Sequence, residues 1–282
     1  MGYDYPMLSY RHAFHAGNPA DVLKHIILVF CVEYLGQKET PYLCIDTHAG
    51  AGYYILTEGY AAQNREWKTG IERLAGSKEL PPLAARYLSL LREIRRGEGE
   101  YPGSPALIRA LLRSGDRLFC YELHPADFAL LEQNIGGDRR VSLRREDGFS
   151  ALKALLPPPS RRGCIFIDPP YEIKDDYRAL RRALEEGLRR FPTGLYIAWY
   201  PLLSGVEYTS AVGTELRELY WGNRCQVELR TTLPQERGMY GSGLVIINPP
   251  WTLKAALEET LPVLAHILGG TTASWRLDWI YQ

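Results

Sequence analysis

The stretch Cys164-Ile165-Phe166-Ile167-Asp168-Pro169-Pro170-Tyr171 runs an apolar segment into a carboxylate, two prolines and an aromatic ring. These residue types suit an exocyclic amine on a flat base. The N6 lone pair of adenine is delocalised into the ring, so the amine is a weak nucleophile. A carboxylate accepting one N–H and a main-chain carbonyl accepting the other favour a pyramidal nitrogen with an available lone pair. Asp168 and the Pro169 carbonyl are the two expected acceptors, and Pro170 stiffens the turn that presents them. Tyr171 is placed to stack on a base drawn out of its helix or loop. A carboxylate is too weak a base to deprotonate the amine beforehand, so Asp168 is expected to orient it and take the proton during or after transfer. The leading expectation is methyl transfer to an adenine N6. Related turns serve guanine N2, cytosine N4, DNA adenine and protein glutamine amides, so the residues alone leave the acceptor open.

Such a turn must sit at the end of a buried strand. The apolar run before Asp168 reads as a central strand of a parallel sheet, and the prolines cannot continue it. In open α/β sheets, ligands bind at the carboxyl edge of the strands. A second match, Asn248-Pro249-Pro250-Trp251, follows the last of the expected strands. Only the short segment from Leu233 to Ser242 separates that strand from its predecessor, so the two should pair antiparallel. Its turn then leaves at the opposite edge, and Asn248 reads as a structural strand exit.

Four expected strand ends carry acids in order: Asp46 with the turn Thr47-His48-Ala49-Gly50-Ala51-Gly52, then Glu122, Asp147 and Asp168. Gly50 and Gly52 allow close backbone approach to a ligand. The turn lacks the spacing of a dinucleotide fold, and no helix obviously opens behind it to hold a pyrophosphate. An acid after the second strand is placed to grip a ribose diol. Glu122 fills that role, and Asp147 is placed for an adenine amine or a nearby polar edge. S-adenosylmethionine fits this pattern better than NAD. His25 and His48 are candidates to line the same pocket.

The flanking elements follow from hydrophobic period and caps. Asn18-Pro19 predicts a helix start, with Val22, Leu23, Ile26, Ile27 and Phe30 on its apolar positions. Residues 53–103 break the alternation of strand and helix and read as a helical insertion subdomain. Ser104 is the expected N-cap of the helix that follows. Strands and helices alternate from there, and the tail from Thr252 to Leu268 reads as a helix. The alternation implies an α/β, doubly wound sheet, and with the methyl-transfer reading the expected fold class is a Rossmann-like class I methyltransferase with a seven-stranded sheet whose last strand is antiparallel. The methyltransferase domain comprises 1–52 and 104–282, with an N-terminal arm over 1–18.

Composition narrows the setting. The chain of 282 residues carries 33 basic and 33 acidic side chains, so contact with nucleic acid must rest on local patches. Candidates are Arg144-Arg145, Arg161-Arg162, Arg181-Arg182 and Arg189-Arg190. No apolar run is long enough to span a bilayer, and no cleavable signal is visible. The five cysteines form no CxxC pair and read as reduced, buried thiols of a cytoplasmic protein. None of the histidines pairs with cysteine at zinc spacing, so no metal is expected.

Several segments together are similar to the ribosomal RNA large-subunit methyltransferase J family. They are Tyr10-Arg11-His12, His15-Ala16-Gly17-Asn18, Ala20-Asp21-Val22-Leu23-Lys24-His25, the Asp46–Gly52 turn and Tyr101-Pro102-Gly103-Ser104-Pro105. Glu122-Leu123-His124-Pro125, Asp147-Gly148, Ile167–Tyr171, Trp199-Tyr200-Pro201, Arg237-Gly238-Met239 and Ile247–Trp251 continue the likeness, which covers nearly the whole chain from Met7. The resemblance implies methylation of N6 of a single adenine in 23S rRNA with S-adenosylmethionine as donor, the RNA being protein-free or in an early assembly intermediate. It implies cofactor contacts from His25, His48, Ser104, Glu122, Asp147, Gly148 and Asp168, and Lys24, Asp46 and Gly50 are expected to bind the cofactor with them. Asp168 is then the catalytic acid, and Tyr10 and Tyr171 touch the substrate.

Overall fold

The Asn18 side chain accepts the Asp21 N–H at 2.9 Å and Pro19 occupies the first turn, so helix α1 (Pro19–Gly36) starts where cap and proline predict. The computed structural model describes residues 11–171, 174–205, 207–220 and 222–281. α1 is buried along most of its length, including Asp21, Lys24 and His25. Polar groups held that deep need partners, and theirs lie in the site described below.

β1 (Leu43–Asp46) follows, and then the segment that interrupts the alternation. That segment holds β2 (Tyr53–Ile55), α2 (Gly59–Asn64), α3 (Ile71–Gly76), α4 (Pro82–Ile94) and β3 (Glu100–Pro102). β2 and β3 pair antiparallel and bring its two ends together. Leu83, Tyr87, Leu88 and Leu91 of α4 are buried in the same apolar layer as α1.

The alternation then resumes with α5 (Ser104–Leu111), β4 (Arg117–Tyr121), α6 (Pro125–Ile135), β5 (Val141–Arg144), α7 (Phe149–Leu155) and β6 (Gly163–Ile167). It continues with α8 (Lys174–Arg190), β7 (Leu195–Ser204), α9 (Glu207–Glu218), β8 (Arg224–Arg230), β9 (Gly238–Ile247), α10 (Leu253–Gly269) and β10 (Ser274–Ile280). Ser104 is the first helical residue of α5 and Gly103 its N-cap, one position earlier than expected. Extended backbone at Gly103, whose N–H bonds Gly52 O at 2.9 Å, accounts for the shift.

The main sheet has the order β10-β8-β9-β7-β6-β1-β4-β5. It has eight strands rather than the expected seven. The additional strand, β10, pairs antiparallel with β8 at the sheet edge. β9 runs antiparallel to both β7 and β8, between which it is inserted. Because β10 follows it in the chain, β9 is not the last strand in sequence, although its direction is the one expected.

Alternation along the central strands divides the core into two layers. Cys44, Leu118, Cys120, Cys164 and Phe166 join the layer covered by α1, α4, α5 and α10. Ile45, Tyr121, Ile165 and Ile167 join the layer covered by α7, α8 and α9. All five cysteines are buried in the first layer, where burial pushes thiols such as Cys31, Cys44 and Cys120 well above their ordinary value. They act as small apolar side chains.

Candidate active site

β5, β4, β1 and β6 lie side by side and parallel, so the residues leaving their carboxyl ends converge on one edge. A cavity of about 350 Å³ opens there. His25, His48, Gly50, Ser104, Glu122, Asp147, Gly148 and Asp168 line it. Lys24 and Asp46 are buried behind this lining. Pro170 reaches the wall, whereas Pro169 and Tyr171 do not. Tyr10 lies outside the described residues.

Glu122 is held by the main chain at both oxygens: Oε2 accepts the Gly50 N–H at 2.9 Å and Oε1 the His124 N–H at 2.6 Å. Burial pushes its carboxyl up, and those backbone donors pull it back. Gly50 sits at φ +59°, and a Cβ there would fall 2.1 Å from the Tyr54 hydroxyl. A Cβ on Gly148 would fall 1.8 Å from Thr47 O, so the main chain packs as closely there as glycine permits. Asp147 is exposed, and its Oδ1 accepts the Phe149 N–H at 3.0 Å. Gly52 leads into β2 rather than a helix, so no helix N-terminus follows the turn to receive a pyrophosphate.

Burial lowers both His25 and His48 to about 3, which keeps them neutral at physiological pH. The His25 Nδ1 lies 2.8 Å from the Tyr101 hydroxyl, which is itself 2.8 Å from that of Tyr87. The His48 ring meets Phe149 edge-on at 5.1 Å. Asp46 is fully buried, and burial pushes its carboxyl up to about 7 against the opposing pull of the Ser104 side chain. Its Oδ2 has no hydrogen-bond partner among the described residues.

Asp168 continues the alternation of Cys164 and Phe166 and so falls on the α1 side of the sheet. Its Oδ2 lies 2.5 Å from Lys24 Nζ, which also meets Asp21 Oδ1 at 3.0 Å. The Lys24 ammonium sits 4.9 Å from the centre of the Trp199 ring. Asp21 Oδ2 takes His12 Nε2 at 3.1 Å and the Gly17 N–H at 2.8 Å. Burial works against a charged Asp21, yet His12, Lys24 and His25 outweigh it and hold the carboxyl well below its usual value. Asp168 Oδ1 has no hydrogen bond among the described residues. Tyr171, at φ +54°, donates its hydroxyl to Trp199 O, and its ring packs 4.5 Å from Tyr177 and 5.6 Å from Trp199.

The model of the family described as ribosomal RNA large subunit methyltransferase D, RlmJ, matches residues 39–281. Ribosomal RNA large subunit methyltransferase J of Haemophilus influenzae is 43% identical over 282 residues, covering 97% of this chain and 99% of that protein. The Escherichia coli protein of the same name is 43% identical over 283 residues, covering 95% and 99%. The chain belongs to this methyltransferase family. A crystal structure of a Legionella pneumophila protein superposes with a TM-score of 0.86 at 36% identity, covering 94% of this chain and 98% of that one. The fold is the Rossmann-like class I methyltransferase fold.

Three further residues stand out that the sequence reading gave no role. Asp21, quoted only within the Ala20–His25 segment, is the second carboxylate on Lys24; opposite charges three apart on a largely buried helix were its signal. Phe149 and Arg182 line the cavity with nothing in their spacing to mark them. Four of the eight arginines in the pairs make contacts within the chain, mostly at its surface. Arg162 donates to Leu35 O at 2.7 Å, Arg189 and Arg190 bind Glu186, and Arg181 binds Glu185. The second proline turn leaves the sheet at the opposite edge. Asn248 Nδ2 donates to Pro192 O and Gly194 O, both at 2.7 Å, in the loop that enters β7.

Proposed function

We propose that this protein transfers the methyl group of S-adenosylmethionine to N6 of a single adenine in 23S rRNA, protein-free or in an early assembly intermediate, with the base flipped into the Asp168–Tyr171 turn. The observation that carries this reading is the division of labour on one carboxylate. Asp168 Oδ2 is bound by Lys24, while Oδ1 keeps its capacity to accept an N–H at the wall of the cavity that Glu122 also lines.

The lining fits the proposed cofactor. Glu122, held by two backbone donors, retains lone pairs for a ribose diol. Gly50 and Gly148 leave backbone surface where any side chain would collide. His25 and His48 are neutral, and the Lys24 charge is balanced by Asp21 and Asp168, so the cavity can accept a sulfonium. Asp147 and Gly148 would face the adenine moiety, and Ser104 and His25 would complete the wall. When bound, the cofactor supplies an electrophilic methyl group.

The chain's own residues do the rest. Lys24 fixes the Asp168 carboxylate, Oδ1 accepts one N6 hydrogen and the Pro169 carbonyl the other. As N6 gains the methyl group it sheds a proton, which Asp168 accepts. Tyr171 and Trp199 form the aromatic side of the turn, and Tyr10 in the arm would touch the substrate. No helix among the described residues is long and apolar enough to cross a membrane.

The test is to incubate radiolabelled S-adenosylmethionine with protein-free 23S rRNA, with assembled large subunits and with DNA, then map the product by mass. The expected result is one N6-methyladenosine in protein-free rRNA. Label in DNA or protein but not in rRNA overturns the reading.

A further inference from the structure

A second cavity, of about 420 Å³, lies on the other side of the α1 N-terminus, between the Glu66 segment and the ends of β8 and β9. His15, Glu66, Leu229, Thr231, Met239 and Ser242 contribute to its wall. Nothing in the methyl-transfer chemistry above uses it.

Its wall carries an unused polar group. Ser242 is 3% exposed. It is the cross-strand partner of Leu229, which belongs to the α1 layer, so its side chain points to the same face and into the cavity. Its hydroxyl has no hydrogen-bond partner among the described residues. A hydroxyl without a protein partner on a cavity wall can donate to, and accept from, a group that enters the cavity.

The charge pattern selects the ligand. Among the described residues, Glu66 is the one carboxylate in this wall, and it meets His15 Nδ1 at 3.0 Å and Asn18 Nδ2 at 3.0 Å. Burial opposes its charge, but those two partners prevail and hold its carboxyl below its ordinary value. A carboxylate there repels a phosphate. A neutral flat group with both donors and acceptors fits instead, packing on the imidazole of His15 and the 43% exposed Met239.

The position links this cavity to the catalytic turn. Ala20 lines it, and Lys24, which holds Asp168, is one helical turn further along α1, roughly 6 Å. We propose that this cavity takes the base of a nucleotide flanking the methylated adenine, splayed out of the same RNA strand. The proposal rests on the rRNA reading of the active site.

The test uses the full-length enzyme, an RNA fragment spanning the methylated adenine, and the variants Ser242→Val and Met239→Ala. Met239 is half exposed, so its truncation keeps the fold even if Ser242→Val does not. The expected result is a KM for RNA raised about 5- to 10-fold. The kcat at saturating RNA and the cofactor affinity measured calorimetrically should stay unchanged. Abasic substitution at one flanking position should raise the wild-type KM by a similar factor and add nothing in the variants. Unchanged KM in folded variants, or an abasic loss that is fully additive, overturns the subsite alone. A wild-type enzyme that methylates no RNA overturns both readings.

Discussion

Lys24 and Asp168, 144 residues apart in the chain, meet at 2.5 Å in a pair that is nearly closed to solvent. Lys24 also holds Asp21, so one ammonium joins the first helix to the Asp168–Tyr171 turn. Removing either partner has different consequences. Lys24→Met leaves two buried carboxylates without their cation and should cost about 3–5 kcal/mol of stability. Asp168→Asn leaves Lys24 paired with Asp21, so the fold should persist while turnover drops by about 100-fold or more. Urea unfolding and methyl incorporation, measured on both variants, check the contrast. An active Asp168→Asn enzyme would remove the role assigned to this carboxylate.

Asn248 offers the matching control at the other edge of the sheet. Its side chain satisfies two carbonyls and its backbone sits at φ +55°. Asn248→Ala should lower stability by about 1–3 kcal/mol, because those carbonyls lose their donors, and leave kcat per folded molecule unchanged. A loss of kcat with normal stability would contradict the assignment of the two turns.

Asp46 makes stability depend on pH. Its folded value is pushed up to about 7, whereas the unfolded chain releases that proton near 4. Between those values the folded protein binds more protons, so this group lowers stability as pH rises from about 4 to about 7. His25 and His48 act with the opposite sign: folded values of about 3 mean that their contribution is present above about 6.5 and lost on acidification. Asp46→Asn should therefore gain on the wild type between pH 5 and pH 8 in urea midpoints. Parallel pH curves for the two proteins would show that Asp46 is not the group responsible.

Gly148 tests the close approach of backbone to the cavity. With a Cβ only 1.8 Å from Thr47 O, Gly148→Ala must push the β5–α7 turn away from the end of β1. Overpacking of this kind costs about 1–3 kcal/mol. Cofactor affinity should fall more than RNA affinity, as read by calorimetry and filter binding. Full cofactor affinity in this variant would place the adenine moiety elsewhere.

Much of the architecture was legible locally. Asn18 and Pro19 mark the start of α1 because cap and proline act within one turn. Asp46, Glu122 and Asp168 follow apolar runs because each strand must end where a polar group can reach the sheet edge, whereas β5 before Asp147 is half polar. β10 has no counterpart among the expected elements, although Trp275, Leu277 and Trp279 alternate with Arg276 and Asp278 in a period-2 pattern just past the tail helix. The eighth strand carried its own signal.

Residue types and spacing settled seven strands of the main sheet, where the polar ends of its parallel strands fall and that Asp168 stands at a strand tip beside two prolines. They left undecided that Lys24 reaches it, that Asp46 is sealed beneath the cavity and that Ser242 faces a second one. Those facts depend on strand order and on which sheet face each side chain takes against α1. Both are set by pairings between distant segments, whose cost and reward appear only when the whole core closes.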